Sequence, residues 1–498
     1  MIKFIVKQTA TIMLLFVFNS INAQGIVNKW LIGYPGGGAN VFIEFNKDSI
    51  LSIDTVKLKM SFRDLNASIC DSYGNMLFYT NGGWIANSTN DTMMNGNDLT
   101  PGPYASYWKI DGFRNSQGAV IIPFPADSTK YYLFHQTVDL ASNGQTVIPS
   151  KNIFYSVIDM NLDGGLGAVT LKNNVILNDT LTYGALTICK HANGRDWWLL
   201  CHRAHSDMFF EFLISPTGIS GPFSQSIGSI LNEGAVGQAC FSPDGKKYAR
   251  YFPDDDLDIY DFDRCTGILS NPVHIIINDG AFCAGASFSA NSKYLYISSQ
   301  NYIYQFDVHA PNIELTKDTV AIYDGFASPF HPFQTYFYQS QLAFDRKIYI
   351  SAPNSVDYLH VINYPDSSGI SCDVQQHGIY LKTFNAFTIP NHPNYFLRAD
   401  SGSVCDTLML TVAQKNFENE DLNIEVFPNP AQNSFFINYQ IKTELTDQFI
   451  LYDTFGKEIK RTKLNTSAKT QKVNTDNLGN GIYFYKFKNQ SGKIVIIK

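Results

Sequence analysis

Runs in which apolar and aromatic positions alternate with polar ones recur along this chain, separated by tight polar turns. A period of two is the signature of a half-buried strand. One unit repeats: an apolar strand, a turn, then an aromatic-rich strand. It occurs at Ser68–Tyr79, at Val120–Phe134 around Ala126-Asp127-Ser128, and at Leu186–Leu200 around Asn193-Gly194. It returns at Cys240–Tyr248, at Ser287–Ile297 around Ala290-Asn291-Ser292, and at Leu342–Tyr349, so six units lie roughly 45 to 65 residues apart. The turn chemistry is explicit in Pro243-Asp244-Gly245: proline presets φ, aspartate bonds back to the backbone, and glycine takes the positive φ that closes a hairpin.

Second hairpins follow several units, at Phe154–Asp159 with Gly167–Leu171, at Ile259–Phe262 with its Arg264-Cys265-Thr266-Gly267 turn, and at Ile303–Val308. Two hairpins per unit make four strands, the blade of a β-propeller. Trp30–Phe45 and Phe384–Leu397 remain at the two ends and can pair to complete a seventh blade; closure removes exposed edges. The expectation is an all-β chain with a β-propeller of about seven four-stranded blades over 24–405, a linker at 406–422, and a small Ig-like β-sandwich at 423–498.

The last segment carries three landmarks in order: Val426-Phe427-Pro428-Asn429-Pro430, Leu451-Tyr452-Asp453-Thr454-Phe455-Gly456-Lys457, and Leu478-Gly479-Asn480-Gly481-Ile482-Tyr483-Phe484-Tyr485 before a final strand at Lys493–Lys498. Between the first two, Phe435, Ile437 and Tyr439 alternate. Together these resemble the type A C-terminal sorting domain of the type IX secretion system. The resemblance implies a small β-sandwich recognised at the outer membrane by the type IX machinery and removed by a surface sortase-like protease. It implies delivery to the cell surface or medium through the periplasm, and nothing about the cargo.

The N-terminus agrees with export. Lys3 and Lys7 precede an apolar core at Ala10–Phe18 and a small residue at Ala23, the layout of a cleavable signal peptide over 1–23. That core is about half the ~20 residues a bilayer span needs, so no transmembrane span is expected. Aromatic residues make up 14% and charged residues only 16%, a balance suited to pleated surfaces rather than solvated helices. From Asn423 onward 11 Lys/Arg face 6 Asp/Glu, whereas 26 Lys/Arg face 38 Asp/Glu before it; an acidic body argues against nucleic acid as a partner. Eight cysteines suit an oxidising destination, but they show no CxxC spacing and no pairing can be named.

The body also resembles secreted propellers of gliding-motility-associated surface proteins. The residues that carry this are Gly74–Tyr79, Tyr155–Met160, His191–Trp198, the Phe241–Gly245 turn, Tyr304–Asp307 and Ile389-Pro390-Asn391. The chain departs from the pattern at Asp345-Arg346, where the turn lacks its glycine, and that family brings no catalytic residues to carry over.

Candidate chemistry is sparse, and no cofactor motif is present. Asp159, Asn161 and Asp163, followed by Gly164, match the first half of a calcium loop, while Thr170 stands where the bidentate glutamate belongs; a hairpin turn explains the same glycines. Asp254, Asp255, Asp256 and Asp258 form an acidic run that either recruits a cation or is a solvated loop. His135, His191, His202 and His205, the last two beside Cys201, match neither a metal-binding helix nor a catalytic triad, and read as buried or turn histidines. The long segment Trp84–Trp108 brings Trp84, Tyr104, Tyr107 and Trp108 together with Asn87, Asn90, Asn95 and Asn97. Such aromatics either stack on sugar rings or pack the loop onto its scaffold.

Three function classes compete on this scaffold: a surface binding or adhesion module for a glycan or a surface protein, an extracellular hydrolase of polysaccharide, and a structural envelope component. A hydrolase needs convergent carboxylates or a nucleophile with its base, and no motif supplies either.

Overall fold

In the computed structural model the described residues are 24–35, 38–137, 139–140, 147–148, 150–232, 236–329, 332–406, 424–439, 448–453, 457–464, 469–487 and 490–498. The signal peptide expected at 1–23, the linker at 406–422 apart from Asp406, and Thr454-Phe455-Gly456 lie outside them. The chain divides into two compact units at residue 410. Among the described residues no helix is long and apolar enough to cross a membrane.

The first unit is a seven-bladed β-propeller. Five blades are four-stranded antiparallel sheets: blade 3 (Ala119–Phe124, Asp127–Gln136, Ser150–Asp159, Ala168–Leu181), blade 4 (Thr187–Lys190, Trp197–His202, Ser206–Ser215, Gly218–Leu231), blade 5 (Gln238–Phe241, Lys247–Phe252, Asp256–Phe262, Leu269–Ile275), blade 6 (Ala284–Phe288, Tyr294–Ser299, Tyr302–Asp307, Asp318–Ile322) and blade 7 (Ser340–Leu342, Ile348–Ile350, Ser355–Ile362, Val374–Ala386). Blade 2 has three strands (Ala67–Cys70, Met76–Thr80, Ile85–Asn87), as has blade 1 (Lys29–Ile32, Asn40–Phe45, Ile50–Val56). The sequence expectation of four strands throughout therefore holds for five blades.

The repeated turn has one geometry. Asp71, Asn193, Asp244 and Asn291 each accept backbone N–H groups two to four residues on through Oδ1. Gly74, Gly194 and Gly245 follow with positive φ. In blade 7, Arg346 takes φ +66° where the pattern lacks its glycine, so the turn keeps its form at the expense of a strained backbone. At Gly245 the need for glycine is also steric, since a Cβ would stand 2.8 Å from Cys189 Sγ and from Leu397 Cδ2.

Closure of the ring departs in detail from the sequence reading. Lys29–Ile32 runs opposite to the innermost strands of the other blades: the Gly25 N–H donates to Ser72, beyond the end of Ala67–Cys70, whereas the Asn66 side chain, before its start, donates to the Leu31 carbonyl. Among the described residues blade 1 thus has no innermost strand of its own. Ile389–Asn391 occupies that place. Ile389 joins Trp30, Ile32, Val41 and Tyr349 in one apolar cluster, and the Ala386 N–H donates to Gly33 O at 2.9 Å. The two ends of the unit do meet as expected, but Pro390 and Pro393 lack the N–H groups a ladder requires, so the segment packs without becoming a strand.

The second unit is a β-sandwich. One sheet joins Ile424–Phe427, Ser434–Tyr439 and Thr470–Asn474; the other runs Glu458–Lys463, Gln448–Tyr452, Gly481–Phe487, Gln490–Ile496. Phe435, Ile437 and Tyr439, the alternating residues of the sequence, point into its core with Phe449, Leu451 and Ile494. Asn429 of the Pro-Asn-Pro landmark clasps the last strand, donating to Lys493 O at 2.9 Å and accepting the Val495 N–H at 2.8 Å.

Candidate functional site: the central channel

The innermost strands of blades 2 to 7 surround a channel with a leading mouth, where those strands begin, and a trailing mouth, where they end in hairpin turns. The chain's own segment after Ile389 threads this channel. Asn391 donates to Ala119 O (3.0 Å) and Leu186 O (3.2 Å), Asn394 to Pro243 O (2.7 Å), and the Tyr395 hydroxyl to Ile121 O (2.7 Å). Arg264 then donates to Arg398 O at 2.6 Å, the Asp400 N–H to Ala192 O, and a disulfide joins Cys405 to Cys265 in a blade 5 turn. The other six cysteines are free, five of them buried.

The segment fills one side of the channel. On the other side a cavity of about 430 Å³ remains. Its inner end is stitched across by two glutamines. Gln117 of blade 3 pairs with both backbone groups of Ala239 in blade 5 (2.9 Å each), and Gln238 of blade 5 does so with Ser340 in blade 7 (2.7 and 2.9 Å). Phe241, Phe288, Phe344 and Phe396 supply aromatic wall, while Lys47 and Arg346 stand exposed at the rim. Lys190 lies on the wall. Its ammonium donates to Tyr395 O at 2.9 Å and lies 5.0 Å from the Trp197 ring centroid. Burial, with the Arg264 charge adding to it, lowers its pKa to about 8.

At the leading mouth, residues that precede different innermost strands converge: Asp64, Ser116, Tyr183 and Tyr338. Ser116 and Tyr338 hydroxyls are 3.1 Å apart, and Tyr104 accepts the Arg114 N–H at 2.8 Å. The guanidinium groups of Arg63 and Arg114 lie 5.1 and 5.4 Å from the Trp108 ring centroid. Burial raises the Asp64 carboxyl to about 7, against the pull of Arg63 and Arg114.

The four aromatics singled out in the sequence separate here. Tyr104 is 1% exposed and belongs to the core; Trp84 packs, half-buried, on the cluster of Leu58, Phe62 and Tyr79. Tyr107 (70% exposed) and half-buried Trp108 sit side by side on the short helix Pro103–Trp108, ring centroids 4.9 Å apart. The asparagine amides hold the loop itself: Asn87 Oδ1 accepts the Thr89 and Asp91 N–H groups, Asn90 accepts the Tyr79 hydroxyl, and Asn95 donates to Val169 O.

Asp159, Asn161 and Asp163 form the turn between two strands of blade 3. Asp159 Oδ1 accepts the Asn161 N–H (2.9 Å), Asn161 Nδ2 donates to Thr129 Oγ1 (2.9 Å), and Asp163 opens a 3-10 turn through Gly165. In the acidic run, Asp258 is paired with Arg250 at 2.8 Å in the core and Asp255 binds Asn232. His135 is buried between Thr100 and Ser156 and its pKa falls to about 3; burial also drives that of His202 well down. Among the described residues no three His, Cys, Asp or Glu side chains are grouped to hold a metal.

Sequence reasoning missed the plug, the cavity and Asp64. Ile389-Pro390-Asn391 was legible only as a motif, and nothing local marks Lys190 or Asp64 as channel residues.

Residues 425–498 match the family model described as the secretion system C-terminal sorting domain. The chain therefore carries the tail that engages the type IX machinery and is exported to the cell surface or secreted. No curated protein matches the chain. Similar solved structures include a functionally unknown protein from Desulfotomaculum acetoxidans (16% identity, 73% of this chain and 100% of that one, TM-score 0.38). Others are a putative 6-phosphogluconolactonase from Bacteroides fragilis (13%, 72% and 97%, TM-score 0.35) and the Dos1 propeller (10%, 65% and 73%, TM-score 0.37). At these scores they carry no argument about ligand or chemistry.

Proposed function

We propose that this is a surface or secreted β-propeller that binds an extracellular ligand, a glycan or a surface protein, without turning it over, after its sorting tail has been removed by a surface sortase-like protease. The observation that carries this reading is the plugged channel. A segment threaded through the centre and tied by a disulfide turns the usual location of a propeller active site into a blind cavity walled by phenylalanines and a lysine. The buried carboxylates nearby have structural partners: Asp196 pairs with Arg195 at 2.7 Å, Asp258 with Arg250, and Asp345 accepts the Tyr349 hydroxyl at 2.7 Å. Exposed Tyr107 and half-buried Trp108 add a stacking surface at the leading mouth, the type of surface on which sugar rings lie.

A second reading rests on Asp64. A carboxyl whose pKa burial raises to about 7, beside two guanidinium groups, keeps a protonated fraction at neutral pH that could serve as a general acid in polysaccharide cleavage. Both readings meet one experiment. The secreted protein and its Tyr107→Ala/Trp108→Ala and Asp64→Asn variants are applied to a glycan array and to envelope extract, and the captured material is assayed for release of reducing ends. Capture without product, weakened by the aromatic variant, supports binding. Product formation that Asp64→Asn abolishes overturns it in favour of a hydrolase.

A further inference from the structure

We propose that the cavity at the trailing mouth is a binding site for a carboxylated sugar, with Lys190 receiving the carboxylate and the phenylalanine walls receiving the ring. The inference rests on the binding role above and gives it a place and a ligand chemistry. Three observations lead to it.

The first is charge. Lys190, Lys47 and Arg346 line the cavity, and its lining contains no aspartate or glutamate among the described residues. Arg346 is occupied at the surface by Asp366 at 3.0 Å, and Lys47 is a solvated rim group. Lys190 is the cation that matters: no carboxylate pairs with it among the described residues, and its neighbours are a carbonyl, an indole face and the repelling Arg264. A half-buried ammonium without a counter-ion is costly, and a bound anion supplies one.

The second is wall chemistry. Phe241, Phe288, Phe344 and Phe396 come from three blades and from the plug, and aromatic faces combined with a few polar groups suit a ring that carries hydroxyls. The third is size: about 430 Å³ lies within the range of small-molecule sites, roughly 300 to 1,000 Å³. One ammonium on one wall matches a monoanionic carboxylate; phosphate recognition favours a guanidinium fork or several donors, and the guanidinium here is engaged elsewhere.

The plug contributes directly. Tyr395 O holds the Lys190 ammonium, and Phe396 closes one wall, so the segment that blocks the channel also builds the site.

The test is calorimetric titration of the purified full chain with three probes: D-glucuronate, D-glucose, and a tetrasaccharide ending in glucuronate. Glucuronate is expected to bind and glucose to bind at least tenfold more weakly. Lys190→Gln should lose glucuronate binding by tenfold or more, and Lys190→Arg should retain much of it. Unchanged melting temperatures establish that the variants fold. Because the free ammonium titrates near pH 8, binding at pH 8.5 should take up protons, seen as a dependence of the heat on buffer ionisation that Lys190→Gln removes. Binding of the free sugar alone, or of the tetrasaccharide as well, identifies a monosaccharide or a chain end as the ligand and supports the site either way. Equal binding of glucose, or glucuronate binding indifferent to Lys190→Gln, overturns it. If glucuronate neither binds nor competes while capture from the array persists, the cavity assignment fails and the binding role stands; release of product from captured polymer defeats the binding role itself.

Discussion

Breaking the Cys265–Cys405 disulfide should destabilise the propeller and free the plug. The two cysteines are 140 residues apart in the chain, with Cα atoms 5.7 Å apart. In the chain-entropy model, a closed loop of this length removes about 17 cal/mol/K from the unfolded ensemble, or about 5 kcal/mol at 25 °C. Unfolding entropy is about 2.1 cal/mol/K per residue, so a unit of roughly 380 residues has about 0.8 kcal/mol/K at its midpoint, and the loss corresponds to a fall of about 6 °C. Reduction also acts locally. The disulfide anchors the end of a segment otherwise held by hydrogen bonds to several blades, among them the Arg264 and Asp400 contacts, and by the packing of Tyr395 and Leu397. Scanning calorimetry of the full chain, oxidised against reduced and against Cys405→Ser, reads the first effect. Hydrogen exchange at the Asn391, Leu397 and Asp400 amides reads the second. Thiol titration of the denatured, unreduced protein should find six reactive cysteines of eight. Melting temperatures within 1 °C of each other, with unchanged exchange in the plug, would refute the reasoning that this link pins the channel segment.

Glycine replacement separates backbone strain from steric conflict. Gly245→Ala and Gly280→Ala both place a side chain at φ above +70°, which costs about 1 to 2 kcal/mol, but only Gly245 has heavy atoms within 3 Å of the new Cβ. Urea unfolding should show Gly245→Ala to be the worse by at least ~1 kcal/mol, and equal effects would mean that the turn opens freely. Glu211 is buried in blade 4 and its pKa is raised to about 8 by desolvation. The folded chain therefore holds this proton more tightly than the unfolded one, so stability falls as pH rises from its unfolded value near 4.5 to about 8 and is level above that. Glu211→Gln should remove this slope, which for a single proton cannot be steeper than about 1.4 kcal/mol per pH unit; a pH profile of melting temperature that is the same in wild type and variant contradicts it. Calcium titration settles the Asp159–Asp163 turn: a bound ion appears as a rise in melting temperature that Asp159→Asn abolishes, and a flat response assigns these side chains to the turn alone.

The hairpin repeat, its turns and the sorting tail were legible because each is a local code. Alternation with period two fixes which side of a strand is buried, and Asp244-Gly245 fixes a backbone conformation within a few residues. The tail could be read the same way, since Phe435, Ile437 and Tyr439 face its core by alternation alone and Asn429 stands beside prolines that stop a strand. Even the absent glycine at Arg346 was visible, though not that the fold would force that residue into the conformation regardless.

What the sequence could not decide was anything that depends on the ring. Lys190 and Tyr395, or Cys265 and Cys405, come together only because seven sheets close around one axis and bring residues more than a hundred positions apart into contact. The aromatics at Trp84–Trp108 looked like one surface, but a side chain's burial depends on the neighbouring blade, so Tyr104 went to the core and Tyr107 to solvent. Phe384–Leu397 has the composition of a strand interrupted by prolines. Its first three residues end the outer strand of blade 7, whereas Pro390 and Pro393 deny the rest a ladder, and the empty place of blade 1's innermost strand draws that part into the channel. Local pattern thus determined the blades, whereas the site arises from long-range closure, whose geometry no short stretch of sequence contains.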